Sequence, residues 1–189
     1  MKYLSHILCL VLLAIGMQSC SDDESYMDSQ AMEWLGSMRP VDAVLSADTL
    51  RILDIGNSYT EDATALLNGI AKAAGMDMRH VCYYRLVRGG ASFFTWTQCY
   101  NGSDYTEYTY SKVLGDLSTT VAEGKYTNGS VFARILSEPW DVIVIHQVSQ
   151  YATDYSQWKK NKENGCLPEL LNIIRENNPD VLMASMLVH

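Results

Sequence analysis

The 189 residues contain no apolar run of the roughly 20 residues that a membrane-spanning helix needs; the longest, Ile7 to Ile15, has nine and lies at the extreme N-terminus. Basic residues are scarce, with 14 Lys and Arg against 22 Asp and Glu and a formal charge of −8. A surface of that sign repels phosphate backbones, which argues against nucleic acid as a partner. There is no C-x-x-C pair and no histidine cluster at ligand spacing, so no zinc site, other metal site or cofactor is expected. What remains is an ordinary globular balance, 48% hydrophobic and 19% charged, sufficient for about one domain.

The first 20 residues have a separate logic. Lys2 supplies a positive start, ILCLVLLAI an apolar stretch too short to span a bilayer, and Met17-Gln18-Ser19 leads directly into Cys20. This pattern reads as a removable export signal. It resembles the lipobox of Gram-negative lipoproteins, which implies that Cys20 is lipidated and becomes the first residue of the mature chain. Several acyl chains on one residue make a stable anchor. Ser21-Asp22-Asp23-Glu24 follows; it is similar to the surface-export signal of some outer-membrane lipoproteins, and is equally a solvated tether. The expectation is a lipid-anchored, surface-exposed protein of the outer membrane. Without the signal the net charge becomes −9, because Lys2 is the one charged residue among the first 19. Cys82, Cys99 and Cys166 then remain in an oxidising compartment and can form at most one disulfide.

Three segments follow: a signal over 1–19, the lipidated cysteine and a polar linker over 20–48, with room for one short element around Met32 to Met38, and a domain over 49–189. Leu50 to Ile55 is a short apolar strand ending at Gly56-Asn57-Ser58, and Glu61 to Ala74 carries apolar residues at helical spacing. Met78 to Val87 and Asp141 to Ile145 read as further strands, Leu167 to Asn177 as a helix halted before Pro179, and Val181 to Val188 as a fourth strand. Tyr105 to Tyr126 reads as an inserted hairpin or long loop. Apolar strands alternating with helices predict a parallel sheet covered on both faces, a flavodoxin-like three-layer α/β/α domain.

In such sheets chemistry collects at the C-terminal strand ends. Three ends here are unusual: Gly56-Asn57-Ser58, Gly89-Gly90-Ala91-Ser92 and His146-Gln147-Val148-Ser149-Gln150. A serine on a strand-to-helix turn has its hydroxyl near backbone N–H groups and a positive helix end, where an oxyanion can be stabilised. Alternatively, Ser58 or Thr60 only caps the helix. Gln147 is either an amide donor or a buried amide satisfying strand-end groups. His146 is either a general base, with Asp62 to orient it, or, more in keeping with its position, a hydrogen-bonded core or rim residue. Trp96, Tyr100, Tyr105, Tyr108 and Tyr110 either stack on sugars or, the favoured reading, pack a hairpin onto the domain. Asn101-Gly102-Ser103 and Asn128-Gly129-Ser130 read as Asn-Gly turns.

The segment ILDIGNSYTEDATALL resembles block I of the SGNH (GDSL-like) hydrolases, and is most similar to an uncharacterised SGNH-like family of bacterial lipoproteins. Gly89-Gly90-Ala91-Ser92-Phe93 is similar to block II, and DVIVIHQVSQ to the third segment. The resemblance spans about residues 50 to 188. It implies Ser58 as nucleophile, with Gly90 and Gln147 forming the oxyanion hole, Ser149 or Gln150 being alternatives to Gln147. It also implies a serine esterase acting on O-acetyl or similar esters of carbohydrates. The Asp-x-x-His that completes such a site after the last strand has no counterpart there; Asp77 to His80 has that spacing, but precedes a strand and is taken as chance. The expectation is therefore a domain incomplete at its C-terminus, inactive by itself because a serine without a base is a poor nucleophile. The rival expectation is a non-catalytic glycan-binding or scaffold lipoprotein.

Overall fold

The structure, a computed structural model, describes residues 39–45, 48–75, 77–113, 120–153 and 166–186. The sequence readings on the export signal, Cys20, the short element near Met32 and His189 lie outside these residues.

Six strands, β1 (Leu50–Gly56), β2 (Val81–Val87), β3 (Tyr108–Val113), β4 (Thr120–Tyr126), β5 (Val142–His146) and β6 (Leu182–Met186), form one sheet in the order β4-β3-β2-β1-β5-β6. β2, β1, β5 and β6 are mutually parallel, as their continuous apolar runs predict. The Tyr-rich insertion is a hairpin: β3 joins the β2 edge antiparallel and β4 pairs with β3. The sheet is thus mixed, with a parallel centre and an antiparallel margin.

Helices cover both faces. Strand residues alternate in direction, so Leu53, Ile55, Leu86, Ile143 and Ile145 point into the main core. There they meet α3 (Phe93–Tyr100), α4 (Gly129–Leu136) and α6 (Leu167–Asn177). The opposite face carries Ile52, Val142 and Leu182, packed under α1 (Val41–Leu45), and beside them a polar strip under α2 (Ser58–Ala73). A single helical turn, α5 (Ser149–Ala152), follows β5. The architecture is a three-layer α/β/α fold.

Two of the core helices were not legible in advance. α3 is written FFTWTQCY, rich in residues that favour strands. A reciprocal cap between Ser92 and Thr95 starts the helix, and burial of Phe93, Trp96 and Cys99 holds it. α4 begins at Asn128, whose side chain accepts from the Val131 N–H; this Asn-Gly pair opens a helix and is not a free turn. A Cβ on Gly129 would lie 2.3 Å from the Tyr100 carbonyl oxygen, so glycine lets α4 start against the end of α3. The aromatics are structural. Trp96 stands 5.3 Å from Phe132 and 5.8 Å from Tyr108, centroid to centroid. Trp96, Tyr108 and Tyr110 are buried in the core, which removes them from any sugar-stacking surface; Tyr105 is exposed.

Residues 39–45, within the stretch read as linker, are docked on the sheet. Arg39 donates to Asp141 Oδ1 at 2.9 Å and to the Trp140 carbonyl at 2.8 Å, and Asp141 Oδ2 accepts from the Arg51 N–H at 2.7 Å. Val44 is buried against Val142 and Leu182. These contacts lie at the N-terminal edge of the parallel strands, opposite the edge where β1 meets α2. Cys82, Cys99 and Cys166 are free thiols. Burial, with Asp104 adding to it, pushes Cys99 up to about 11, so it carries little thiolate at neutral pH.

Candidate functional site

β1 ends at Gly56, and Ser58 is the first residue of the 16-residue α2. The helix cap is Asn57: its backbone is extended and its Oδ1 accepts from the Tyr59 N–H at 3.1 Å. Ser58 is therefore not the cap, and its side chain is exposed at the positive end of the helix. Thr60 is wholly buried and does not cap either.

Asn57 also ties the first strand end to the second. Its Nδ2 donates to the Ala91 carbonyl at 3.0 Å, with Asn57 fully buried. The loop it grips is a turn closed by Ala91 N–H to the Arg88 carbonyl at 3.1 Å. Gly90, at φ +69, takes the position in that turn that side chains rarely tolerate. The second strand end is tied to the third by Gln147. Its Oε1 accepts from the Phe93 N–H, at the start of α3, and from the Val148 N–H, each at 3.1 Å. The structure thus brings Ser58, Gly90 and Gln147 onto three adjacent strand ends joined by two buried amide side chains. It shows Gln147 accepting through its oxygen at the first turn of α3.

His146 faces the other way. It is fully buried on the α2 side of the sheet, with Nε2 2.7 Å from Asp54 Oδ1. This is an ion-pair distance, although the ring N–H is not aligned for a hydrogen bond. Its acidic partner is Asp54 and not Asp62, which is exposed. Asp54 Oδ2 accepts from the Tyr83 hydroxyl at 2.6 Å. Arg85, the register neighbour of Asp54, donates to Thr64 Oγ1 at 2.9 Å, and Thr64 donates to the Thr60 carbonyl at 2.6 Å. A buried polar strip therefore runs from β5 through β1 and β2 to α2. The sequence reading passed over Asp54, Tyr83 and Arg85; the available signal was one acid inside LRILDI and one arginine inside YYRLV, charges in runs otherwise apolar.

Burial, with the Asp54 carboxylate beside it, pushes the Tyr83 phenol well above its ordinary value. With the folded value raised above the unfolded one near 10, the associated stability is complete below about pH 10 and is lost as pH rises through the folded value. Tyr83 is expected to stay protonated in the folded protein at pH 11. The check is tyrosinate absorbance: Tyr83→Phe is expected to leave the native signal at that pH unchanged, and a signal smaller by one tyrosine would sink the claim.

Asp77 to His80 lies at the N-terminal end of β2, the edge of the sheet away from Ser58, and Asp77 is paired with Arg79. Among the described residues no group of His, Cys, Asp and Glu is placed to hold a metal, and no helix is long and apolar enough to cross a membrane.

Residues 51–187 match the model of a domain of unknown function, DUF4886. The fold is similar to the crystal structure of a DUF4886 family protein from Bacteroides uniformis ATCC 8492, with 26% identity and a TM-score of 0.57 over 73% of this chain. The chain spans about half of that protein, 49% of its length. No curated protein matches the chain.

Proposed function

For this chain, which belongs to the DUF4886 family, we propose a serine ester hydrolase of SGNH type. The observation that carries it is Ser58: an exposed hydroxyl on the first residue of a helix, behind a buried strand, with the neighbouring strand ends locked to it through Asn57 and Gln147. That placement suits a nucleophile whose developing oxyanion meets backbone N–H groups and the helix end. In the reaction, Ser58 Oγ bonds to the ester carbonyl and its proton passes to a general base. The C–O bond to the alcohol then breaks, the alcohol takes that proton, and water hydrolyses the acyl-serine to release the acid. Gly90 and an amide donor, Gln147 or a neighbour, line the oxyanion side. The resemblance assigns the base to an Asp-x-x-His loop after the last strand. Carbohydrate O-acetyl groups are the proposed substrate by the same analogy.

A second reading is favoured by one observation. Among the described residues the histidine at the third strand end, His146, is buried against Asp54 while Ser58 is exposed. A glycan-binding lipoprotein that keeps the fold without the chemistry fits that arrangement. A fluorophosphonate probe decides between the two. Labelling localised to Ser58 by peptide mass spectrometry, and diminished by acetylated sugars, is the result expected of the esterase. Sugar binding with Ser58 unlabelled in the full-length gene product would replace it with the binder.

The proposed setting is the outer membrane, with the domain tethered through lipid on Cys20. Cys20→Ala is expected to abolish metabolic labelling with palmitate and to leave unprocessed precursor. Continued labelling of the variant would exclude the anchor.

A further inference from the structure

The turn that carries Ser58 rests on a side chain with no part in the reaction above. Gly56, the last residue of β1, stands against two buried groups. A Cβ built on it would lie 2.1 Å from Thr60 Oγ1, and 2.8 and 3.1 Å from Cβ and Cγ of His146. His146 therefore occupies the space directly beneath the turn. Its ring is fixed in turn by Asp54, 2.7 Å from Nε2, and both residues have no solvent exposure. Asp54 is itself held by the Tyr83 hydroxyl. The residue after His146 is Gln147, which grips the first turn of α3. One strand end thus supports the Ser58 turn from below with its histidine and fixes the Gly90 loop from the side with its glutamine.

We propose that His146 is a positioning residue for Ser58: its ring, clamped by Asp54, is the floor on which the Gly56–Ser58 turn sits, and it is not the proton acceptor. A proton acceptor has to reach the serine oxygen directly or through one water. The Nε2 of the His146 ring is instead 2.7 Å from Asp54, and the ring's Cγ lies 3.1 Å from where a Cβ on Gly56 would stand. Releasing the ring from Asp54 lets it shift, and Gly56 and Asn57 with it. Asn57 holds both the Tyr59 N–H and the Ala91 carbonyl, so helix start and oxyanion loop loosen together. The claim about catalysis rests on the serine-hydrolase reading; the claim about the turn does not.

The test compares the wild type, His146→Phe, His146→Gln, and Leu170→Ala as a control that loosens the core in α6, on the opposite face of the sheet. Amide hydrogen exchange is read at Tyr59 and Thr60, whose N–H groups bond to Asn57 Oδ1 and the Asn57 carbonyl. His146→Phe is expected to speed exchange there at least tenfold beyond what the change in global stability accounts for, with His146→Gln between it and the wild type. Leu170→Ala is expected to shift these amides only in step with the rest of the domain. Fluorophosphonate labelling of Ser58 is expected to slow at least tenfold in His146→Phe and less in His146→Gln, with the pH profile unchanged in shape. Exchange at Tyr59 and Thr60 that merely follows global stability in the His146 variants overturns the proposal. Loss of the rising limb of the labelling profile in His146→Gln also overturns it, and makes His146 the base. If wild-type Ser58 is not labelled at any pH, the esterase reading fails, and the exchange data alone decide whether His146 positions the turn.

Discussion

Asp54→Ala is expected to destabilise the domain by about 3–5 kcal/mol, because it removes one partner of a fully buried polar cluster and leaves the others behind. Asp54 has no solvent exposure, stands 2.7 Å from His146 Nε2, and accepts the Tyr83 hydroxyl at 2.6 Å. Arg85 is its register neighbour on β2 and is buried as well. Without the carboxylate, the Tyr83 hydroxyl loses its acceptor and the His146 ring loses the group 2.7 Å from its Nε2. The loss is a large part of the roughly 5–15 kcal/mol that a domain commonly has. In a domain of this size it corresponds to a fall of roughly 10–20 °C in melting temperature. Asp54→Asn, which keeps the shape and an acceptor for Tyr83 but not the charge, is expected to fall between the two. Denaturant unfolding followed by circular dichroism measures both. A cost below about 1 kcal/mol for Asp54→Ala, the size of an ordinary hydrogen bond, would mean that the strip is hydrated and not a buried support.

That strip also shows where reading the residues in order reached its limit. The parallel strands were legible because their apolar runs are bounded by glycine, asparagine or proline: β1 is expected at Leu50 to Ile55 and found at Leu50–Gly56, and α6 is expected and found over Leu167–Asn177. α3 was not, because Phe93, Phe94, Trp96 and Tyr100 carry a strand preference that capping by Ser92 and tertiary burial override. α4 was hidden by Asn128-Gly129, a turn signal by composition that acts as a helix start because Phe132, Ile135 and Leu136 return to one buried face. The three strand ends of the site were legible from Gly56-Asn57-Ser58, Gly89-Gly90 and His146-Gln147. Their roles were less so. That Asn57 and not Ser58 caps α2, and that His146 turns toward Asp54, depend on which face each strand residue presents. A residue-by-residue list does not resolve that until the register of β1 against β5 is known.

Ser58→Ala is expected to behave in the opposite way, abolishing chemistry while leaving the fold intact. Ser58 is exposed and does not cap α2, so its replacement falls among surface substitutions, which usually change stability by less than about 0.5 kcal/mol. If Ser58 forms the acyl-enzyme, its loss leaves only oxyanion stabilisation and binding. In serine hydrolases generally these retain a rate of about 10³–10⁴ over water, against total accelerations of roughly 10⁶ or more. A fall of at least about 10²-fold in p-nitrophenyl acetate hydrolysis by the full-length gene product is therefore expected. The melting temperature is expected to move by no more than roughly 2 °C. Paired with Asp54→Ala, this gives a double dissociation: one substitution removes stability through the floor beneath the turn, and the other removes the reaction from the surface of the same turn. Hydrolysis undiminished in Ser58→Ala would move the chemistry away from the first strand end and leave the Asn57 and Gln147 clamps as structural ties alone. Equal loss of stability in both variants would show that the Ser58 hydroxyl supports the helix start, which would remove the physical basis for calling it a nucleophile.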